Sequence, residues 1–126
     1  MVKKILIADD NELNARILTD ILCLEGYECA VAREEIEALN AFSSSSIGEF
    51  SHILIDIQTQ VIDGWSVVRR IRNLERSDSS SVVVYVLADS TFKEDLEYAR
   101  SKGIDSFLSN PIDVEELLMN LDKDAI

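Results

Sequence analysis

The chain has 126 residues, 47% hydrophobic and 29% charged, with 24 acidic side chains against 12 basic ones and a formal charge of −12. That length suits one domain around one core, and the composition excludes a disordered chain. A field of this sign repels phosphates, which argues against non-specific binding to nucleic acid or anionic membrane, and most of the acids are expected to solubilise the surface.

The opening "MVKKILIADD" has two lysines, but only four apolar residues follow them before the acids, too few for a secretory signal. It reads as a strand that ends in Asp9 and Asp10. In "NELNARILTDILCLEG", Leu13, Ile17, Ile21 and Leu24 recur at helical spacing, and Leu18 and Leu22 widen the stripe. Asn11 is the expected N-cap and Gly26 the expected C′ residue. "ECAVA" is a second strand. "REEIEALNAF" is a second helix, with Ile36, Leu39 and Phe42 on one face, and the serines at 43–46 read as a surface loop.

"SHILID" is a third strand, ending in Asp56. "GWSVVRRIRNLE" forms a helix with a stripe of Val67, Val68, Ile71 and Leu74, and with Arg69, Arg70 and Arg72 turned mainly outward. "SDSSS" at 77–81 is a second surface loop, and "VVVYVLAD" a fourth strand. "STFKEDLEYARSKG" is a helix opened by a capping box, Thr91 to Glu94, and closed at Gly103. "DSFLS" is the fifth strand. In "DVEELLMNL", Asp113 is the N-cap and Glu116 stands at N3.

The order is β-α five times, which means α/β with a parallel sheet in a single domain over 1–126. Several strands are continuous apolar runs, as expected when helices cover both faces. No apolar run approaches the roughly 20 residues that span a bilayer, so no membrane insertion is expected. Cys23 and Cys29 lie in apolar surroundings without metal-type spacing, and read as buried free thiols in a reducing cytoplasm. The lone His52 opens its strand with no nucleophile nearby, so a structural or surface role is expected of it in place of catalysis.

An unpaired carboxylate is costly to bury, yet the third run ends in Asp56. Ligands of open parallel sheets bind outside the carboxyl ends of the strands. If the first and third strands are neighbours, Asp9, Asp10 and Asp56 converge on one edge. Like charges that close repel unless a cation stands among them. Mg2+ suits such a site, because it is held by one or two carboxylates plus waters and a phosphate. The blander reading makes Asp9 or Asp10 a helix cap and Asp56 a mere strand end, which would suffice for any one of them but less well for all three. Other chemistries fit poorly. The four glycines are too scattered for a phosphate loop. An aspartyl-phosphate phosphatase would want an acid where Gln58 stands.

With these residues in view, the chain resembles, over its whole length, the receiver domain of two-component response regulators. The acidic pair Asp9 and Asp10 and the strand-end Asp56 match the family. The loop "DIQTQVIDG" has the family's length and closes in Asp63 and Gly64. "DDNELNARILTDIL" and "NPIDVEELL" look most like receivers attached to hybrid sensor kinases.

The resemblance implies a flavodoxin-like doubly wound (βα)5 fold with strand order 2-1-3-4-5. It implies that Asp56 accepts a phosphoryl group from a phosphohistidine or a small phosphodonor. Mg2+ would be held by Asp10, Asp56 and the backbone carbonyl of Gln58, with Asp9 acting through water. The partners implied are a histidine kinase or histidine phosphotransfer protein and a downstream protein target. They would meet the face formed by the fourth helix, fifth strand and fifth helix, which includes Lys93, Glu97 and Phe107. The chain would be no enzyme beyond its own phosphorylation and dephosphorylation. Because it ends about where the fifth helix should, no DNA-binding output domain is expected; it would be a stand-alone regulator or a piece of a hybrid kinase.

Three departures stand out. Ala88 occupies the place of a Thr or Ser at the end of strand four. Asn110 occupies the place of a Lys before Pro111. Thr59-Gln60 replaces Met-Pro. Bringing Ser90 into the hydroxyl role would require a shorter following loop. Phe107 keeps the position of the switch aromatic. The metal half of the site is thus intact and the phosphate half altered: Asn offers neutral donors where Lys offers a charge-assisted bond of roughly twice the strength. The main reading is a phosphoaccepting receiver, and the alternative is a pseudo-receiver that works as an interaction module. Phosphorylation chemistry is expected to survive, while the signalling output is expected to lean on the unphosphorylated fold. A small hydrolase is a third reading, which turnover of a phosphate ester would reveal.

Overall fold

The computed structural model describes residues 3–56, 64–88, 100–109 and 111–124, the last three as backbone. The elements run β1 (Lys4–Ala8), α1 (Glu12–Leu24), β2 (Glu28–Ala32), α2 (Glu35–Ser43), β3 (Phe50–Asp56), α3 (Gly64–Arg72), β4 (Val83–Ala88), β5 (Ser106–Ser109) and α4 (Val114–Asp124). The five strands form one parallel sheet in the order β2-β1-β3-β4-β5, as the family resemblance implies. Of the expected fourth helix, residues 91–99 lie outside the described residues; Arg100 and Ser101 are helical, and Gly103 follows with φ +94°.

Successive side chains of a strand point to opposite faces, so each central strand feeds two cores. Leu6, Ile53, Ile55, Val84 and Val86 meet Ala38 and Phe42 of α2 and Val67, Val68 and Ile71 of α3. Ile5, Ile7, Leu54, Tyr85 and Leu87 meet Ala15, Leu18 and Leu22 of α1 and Leu117 and Leu121 of α4. The central strands are continuous apolar runs because both faces are covered. The edge strand β2 is covered less, and its burial fades toward its start.

Both expected ends of α1 are present. Asn11 Oδ1 accepts the Asn14 N–H at 2.9 Å. Gly26, at φ +89°, closes a Schellman turn in which the Tyr27 N–H donates to the Leu22 carbonyl and the Gly26 N–H to the Cys23 carbonyl. Asp113 caps α4 by accepting the Glu116 N–H at 3.1 Å.

Four expectations need correction. The buried face of α1 is Ala15, Leu18 and Leu22, whereas Leu13 and Leu24 are exposed. The apolar residues wrap more than half of this helix, and periodicity alone does not say which part meets the sheet. On α2, Ala38 and Phe42 are buried and Ile36 points to solvent. Arg72 turns inward, with its side chain 17% exposed. The thiols are free but not both buried: Cys23 is exposed and Cys29 half-buried. Burial, with Cys23 alongside, pushes the Cys29 thiol up to about 11.

The loop over 73–82 is more than a surface loop, because Asp78 and Ser79 are buried in it. Arg76 lies across the Phe42 ring, 4.5 Å from its centroid, and donates to Asp78 and to the carbonyls of Phe42, Ser43 and Ser46. It thereby satisfies carbonyls at and just beyond the end of α2 that have no partner within the helix. His52 is buried at the opposite end of β3 from Asp56. Its Nδ1 is 2.8 Å from Ser51 Oγ, and its ring stands near those of Tyr27 and Tyr85. That is the structural role expected of it.

Candidate functional site

Ala8 of β1 pairs with Ile55 of β3, so the next residues, Asp9 and Asp56, stand side by side at the carboxyl edge of the sheet. The helix after β1 packs on one face of the sheet and the helix after β3 on the other. The chain therefore leaves these neighbouring strands in opposite directions and opens a crevice between them. Asp56, 6% exposed, lines a cleft there of about 260 Å3 together with Asn11, Leu13, Asn14, Ile17 and Pro111.

Asp9 is fully buried and well satisfied. Its Oδ1 accepts the Asn11 N–H at 2.9 Å, its Oδ2 accepts from Asn14 Nδ2, and its own N–H donates to the Ala32 carbonyl. Its carboxylate thus faces the first turn of α1, and Asp10 sits half-buried beyond it. Among the described residues, no three acidic, histidine or cysteine side chains stand close enough to hold a metal ion as placed. Asp9 and Asp56 thus end neighbouring strands at one edge of the sheet, with Asp10 next in the chain, and the three carboxylates do not form a closed cluster. That donor set still suits Mg2+, which takes one or two hard carboxylates and completes its shell with water. Asp10 and Asp56 could supply them, with Asp9 fixing the turn. Gln58, whose carbonyl was expected to join them, lies outside the described residues.

Ala88 ends β4 and is fully buried. Its neighbour Leu87 pairs with Asp56, and Ala88 itself pairs with Ser109 of β5. Phe107 pairs with Val86, so it is the diagonal neighbour of Ala88 on the same face of the sheet. It is half-buried against the core under α2 and α3. A methyl group therefore stands at the strand end beside Asp56, next to an aromatic ring. Asn110, Ser90, Lys93 and Glu97 lie outside the described residues.

Two side chains at this edge were not singled out from the sequence. Asn14 holds Asp9, and its signal was its place three residues after the cap. Glu116 was read only as the N3 residue of a cap. Its Oε1 accepts the Ser109 N–H at 2.6 Å, tying α4 to the end of β5.

The family model for the response regulator receiver domain matches residues 5–122. This chain belongs to the receiver domain family. Among its relatives, the sensor histidine kinase RcsC of Salmonella typhi is 31% identical over 117 residues, 93% of this chain and 12% of that protein. The hybrid signal transduction histidine kinase L of Dictyostelium discoideum is 31% identical over 129 residues, 99% of this chain and 8% of that protein. The receiver thus spans about a tenth of the length of these relatives.

Solved structures agree in fold. The chemotaxis protein CheY4 of Vibrio cholerae superposes with a TM-score of 0.84 at 24% identity, covering 98% of each chain. The receiver domain of a sensor histidine kinase of Pseudomonas aeruginosa superposes with a TM-score of 0.81 at 25% identity, over 98% of this chain and 97% of its own. That structure carries a magnesium ion coordinated in its active-site cleft. The present chain is accordingly a receiver domain of two-component signalling, similar to segments of sensor and hybrid kinases. None of its described helices is long and apolar enough to cross a membrane.

Proposed function

We propose that this receiver accepts a phosphoryl group on Asp56 within a phosphorelay, with Mg2+ at Asp10 and Asp56. The observation that carries the reading is a nearly buried carboxylate at the switch point of the sheet, lining a cleft of mixed polar and apolar walls. An Asp56 oxygen attacks phosphorus, the bond from phosphorus to the donor's leaving atom breaks, and an acyl phosphate results. Mg2+, when bound, neutralises charge on the transferring group. Asp9 keeps the β1–α1 turn in shape, and the cleft wall of Asn11 and Asn14 supplies neutral polar groups. Transfer of one phosphoryl group to the wild-type chain, and none to Asp56→Asn, tests the reading.

Metal binding has its own test. Calorimetric titration with Mg2+ or Mn2+ is expected to give saturable binding to the wild-type receiver and at least tenfold weaker binding to Asp10→Ala, the scale of one lost charged contact. Equal isotherms would remove the metal from the reading.

The donor is a histidine kinase or a histidine phosphotransfer protein. In support, Leu13 and Ile17, 67% and 41% exposed, stand one helical turn apart on α1 and line the Asp56 cleft. An exposed apolar pair beside a reactive carboxylate suits a partner helix that delivers a phosphohistidine. A downstream protein target would read the result. A reducing cytoplasm suits the two free cysteines.

Ala88 and Asn110 bear on what the phosphoryl group does once attached. A ligand shifts a conformational equilibrium only through differential contacts, and Ala88 offers no hydrogen-bond donor. Phe107, its diagonal neighbour, then has little reason to move. Ala88→Thr combined with Asn110→Lys is expected to lengthen retention of the phosphoryl group and to create a beryllofluoride-dependent NMR shift at Phe107. A large shift already present in the wild type, unchanged in the double variant, would show an ordinary switch with unusual residues.

A further inference from the structure

A second cleft, of about 550 Å3, opens on the other side of the sheet, between α3 and the segment leading into β5. Trp65, Arg69, Asn73 and Lys102 line it, with Arg72 and Gly103. Trp65, Arg69 and Asn73 follow one another at four-residue intervals, so they form one stripe along the helix and its end. The volume lies within the range of small-molecule sites.

This cleft is locally basic in an acidic protein. Of the 12 Lys and Arg residues of the chain, six are Arg69, Arg70, Arg72, Arg76, Arg100 and Lys102. They fall on α3, in the loop after it, or at the approach to β5. With a net charge of −12, the surface at large repels anions. Arg70, Arg72 and Arg76 pair with Glu35, Asp105 and Asp78, and the exposed cations that line the cleft beside Trp65, where an anion would be held, are Arg69 and Lys102.

The side chains divide the work. Arg72 donates to the Gly103 carbonyl through Nε (3.0 Å) and Nη2 (2.7 Å), to the carbonyls of Ser79 and Val82 through Nη1, and to Asp105 through Nη2. Its five N–H groups are then fully engaged, so Arg72 is part of the wall and not a ligand contact. Gly103 permits this: a Cβ there would come within 3.0 Å of Arg72 Cγ, and its φ of +94° disfavours any other residue. The latch fixes the segment 100–103 against α3. Arg69, in contrast, is exposed, and its guanidinium has no hydrogen bond or ion pair among the described residues. Lys102 is exposed across the cleft from it. Trp65 is half-buried, with its body against the core.

We propose that this cleft is a binding site for a small anion that carries a planar ring, of the nucleoside monophosphate class, with Arg69 and Lys102 on the anionic group and Trp65 and Asn73 on the ring. An indole offers a stacking face, and an amide such as that of Asn73 offers both a donor and an acceptor for a heterocycle's edge. Among the described residues, the site shares no lining residue with the Asp56 cleft.

The test uses the only tryptophan of the chain as reporter. Adenosine monophosphate is titrated into the full chain and followed by Trp65 fluorescence and by calorimetry, with adenosine and inorganic phosphate as separate arms. Saturable binding of the nucleotide is expected, weakened about tenfold or more by Arg69→Ala, the scale of one charge-assisted hydrogen bond. Lys102→Ala should weaken it in the same direction. Arg70→Ala should leave it unchanged, since Arg70 lies on the same helix but faces Glu35 at 3.6 Å. Asp56→Asn should also leave it unchanged, so failure of the phosphorylation reading would not remove this one. The proposal is overturned if the nucleotide does not saturate, if adenosine or phosphate alone binds as well, or if Arg70→Ala weakens binding as much as Arg69→Ala.

Discussion

Intact mass spectrometry after incubation with acetyl phosphate and Mg2+ is expected to show one added phosphoryl group on the wild-type chain and none on Asp56→Asn. The effect is all or none because one oxygen nucleophile is removed. An amide at position 56 keeps the shape and the polarity but neither the charge nor the nucleophilic oxygen pair. The carboxylate itself stands at the end of a strand whose neighbours on both sides are paired, so its position is fixed by the sheet and not by a loop. Asp9→Asn should reduce the extent of labelling without abolishing it, because Asp9 acts through the turn it holds. Phosphorylation of the Asp56→Asn variant to the wild-type extent would move the acceptor elsewhere and sink the assignment.

Arg76→Ala is expected to be the most destabilising single change outside the two cores, at about 3 kcal/mol, the scale on which breaking one partner of a buried ion pair acts. On a domain of this size that lowers Tm by on the order of 10 °C. Both partners have side chains only 10% exposed. Arg76 Nε and Nη2 donate to the two Asp78 oxygens at 2.6 and 2.9 Å, while Nη1 donates to the Phe42 carbonyl at 2.6 Å. Its removal leaves a nearly buried carboxylate held by the Gly48 N–H, and takes one donor from each of the carbonyls at and just beyond the end of α2. Arg76→Lys should recover little, because an ammonium cannot repeat the planar fork or the stacking on Phe42. Urea melts of the three proteins decide the matter, and a loss within error of zero for Arg76→Ala would make the clamp ornamental.

The same clamp predicts a pH dependence. Hydrogen bonds from Arg76 hold the Asp78 carboxyl below its ordinary value of 3.8, against the opposing effect of burial and with help from the Gly48 N–H. A depressed folded value contributes stability above the unfolded value. That stability is lost as pH falls through the folded value. The advantage of wild type over Asp78→Asn should therefore be full near neutrality and should shrink once pH drops below about 3.8. An advantage that stays constant into that acid range would exclude the linkage.

Much of the architecture was legible in the residues. Five short apolar runs alternating with amphipathic segments require a parallel sheet with helices on both faces, because only that arrangement buries such runs on two sides. The acids that end the first and third runs were legible as a candidate site on the rule that strand ends of an open parallel sheet are where ligands bind. Asn11, Gly26 and Asp113 were legible as caps because capping needs only local geometry.

What the tertiary structure alone decided was which of several possible faces turns inward. On α1, Leu13, Ile17 and Leu24 and the set Ala15, Leu18 and Leu22 both keep helical spacing, and only the sheet beneath chooses the second. That choice leaves Leu13 and Ile17 beside the Asp56 cleft. Arg72 read as turned mainly outward, since nothing local to α3 announces carbonyls at 79, 82 and 103 waiting for donors, and the role of Arg76 at the end of α2 was not read at all. Asp9 read as one of three converging carboxylates, acting on the metal through water, and the fold made it the buried acceptor of Asn11 and Asn14. Spacing along the chain reports what each segment can bury. The partner that buries it, or the donor that satisfies it, comes from residues tens of positions away and exists only once the sheet has closed.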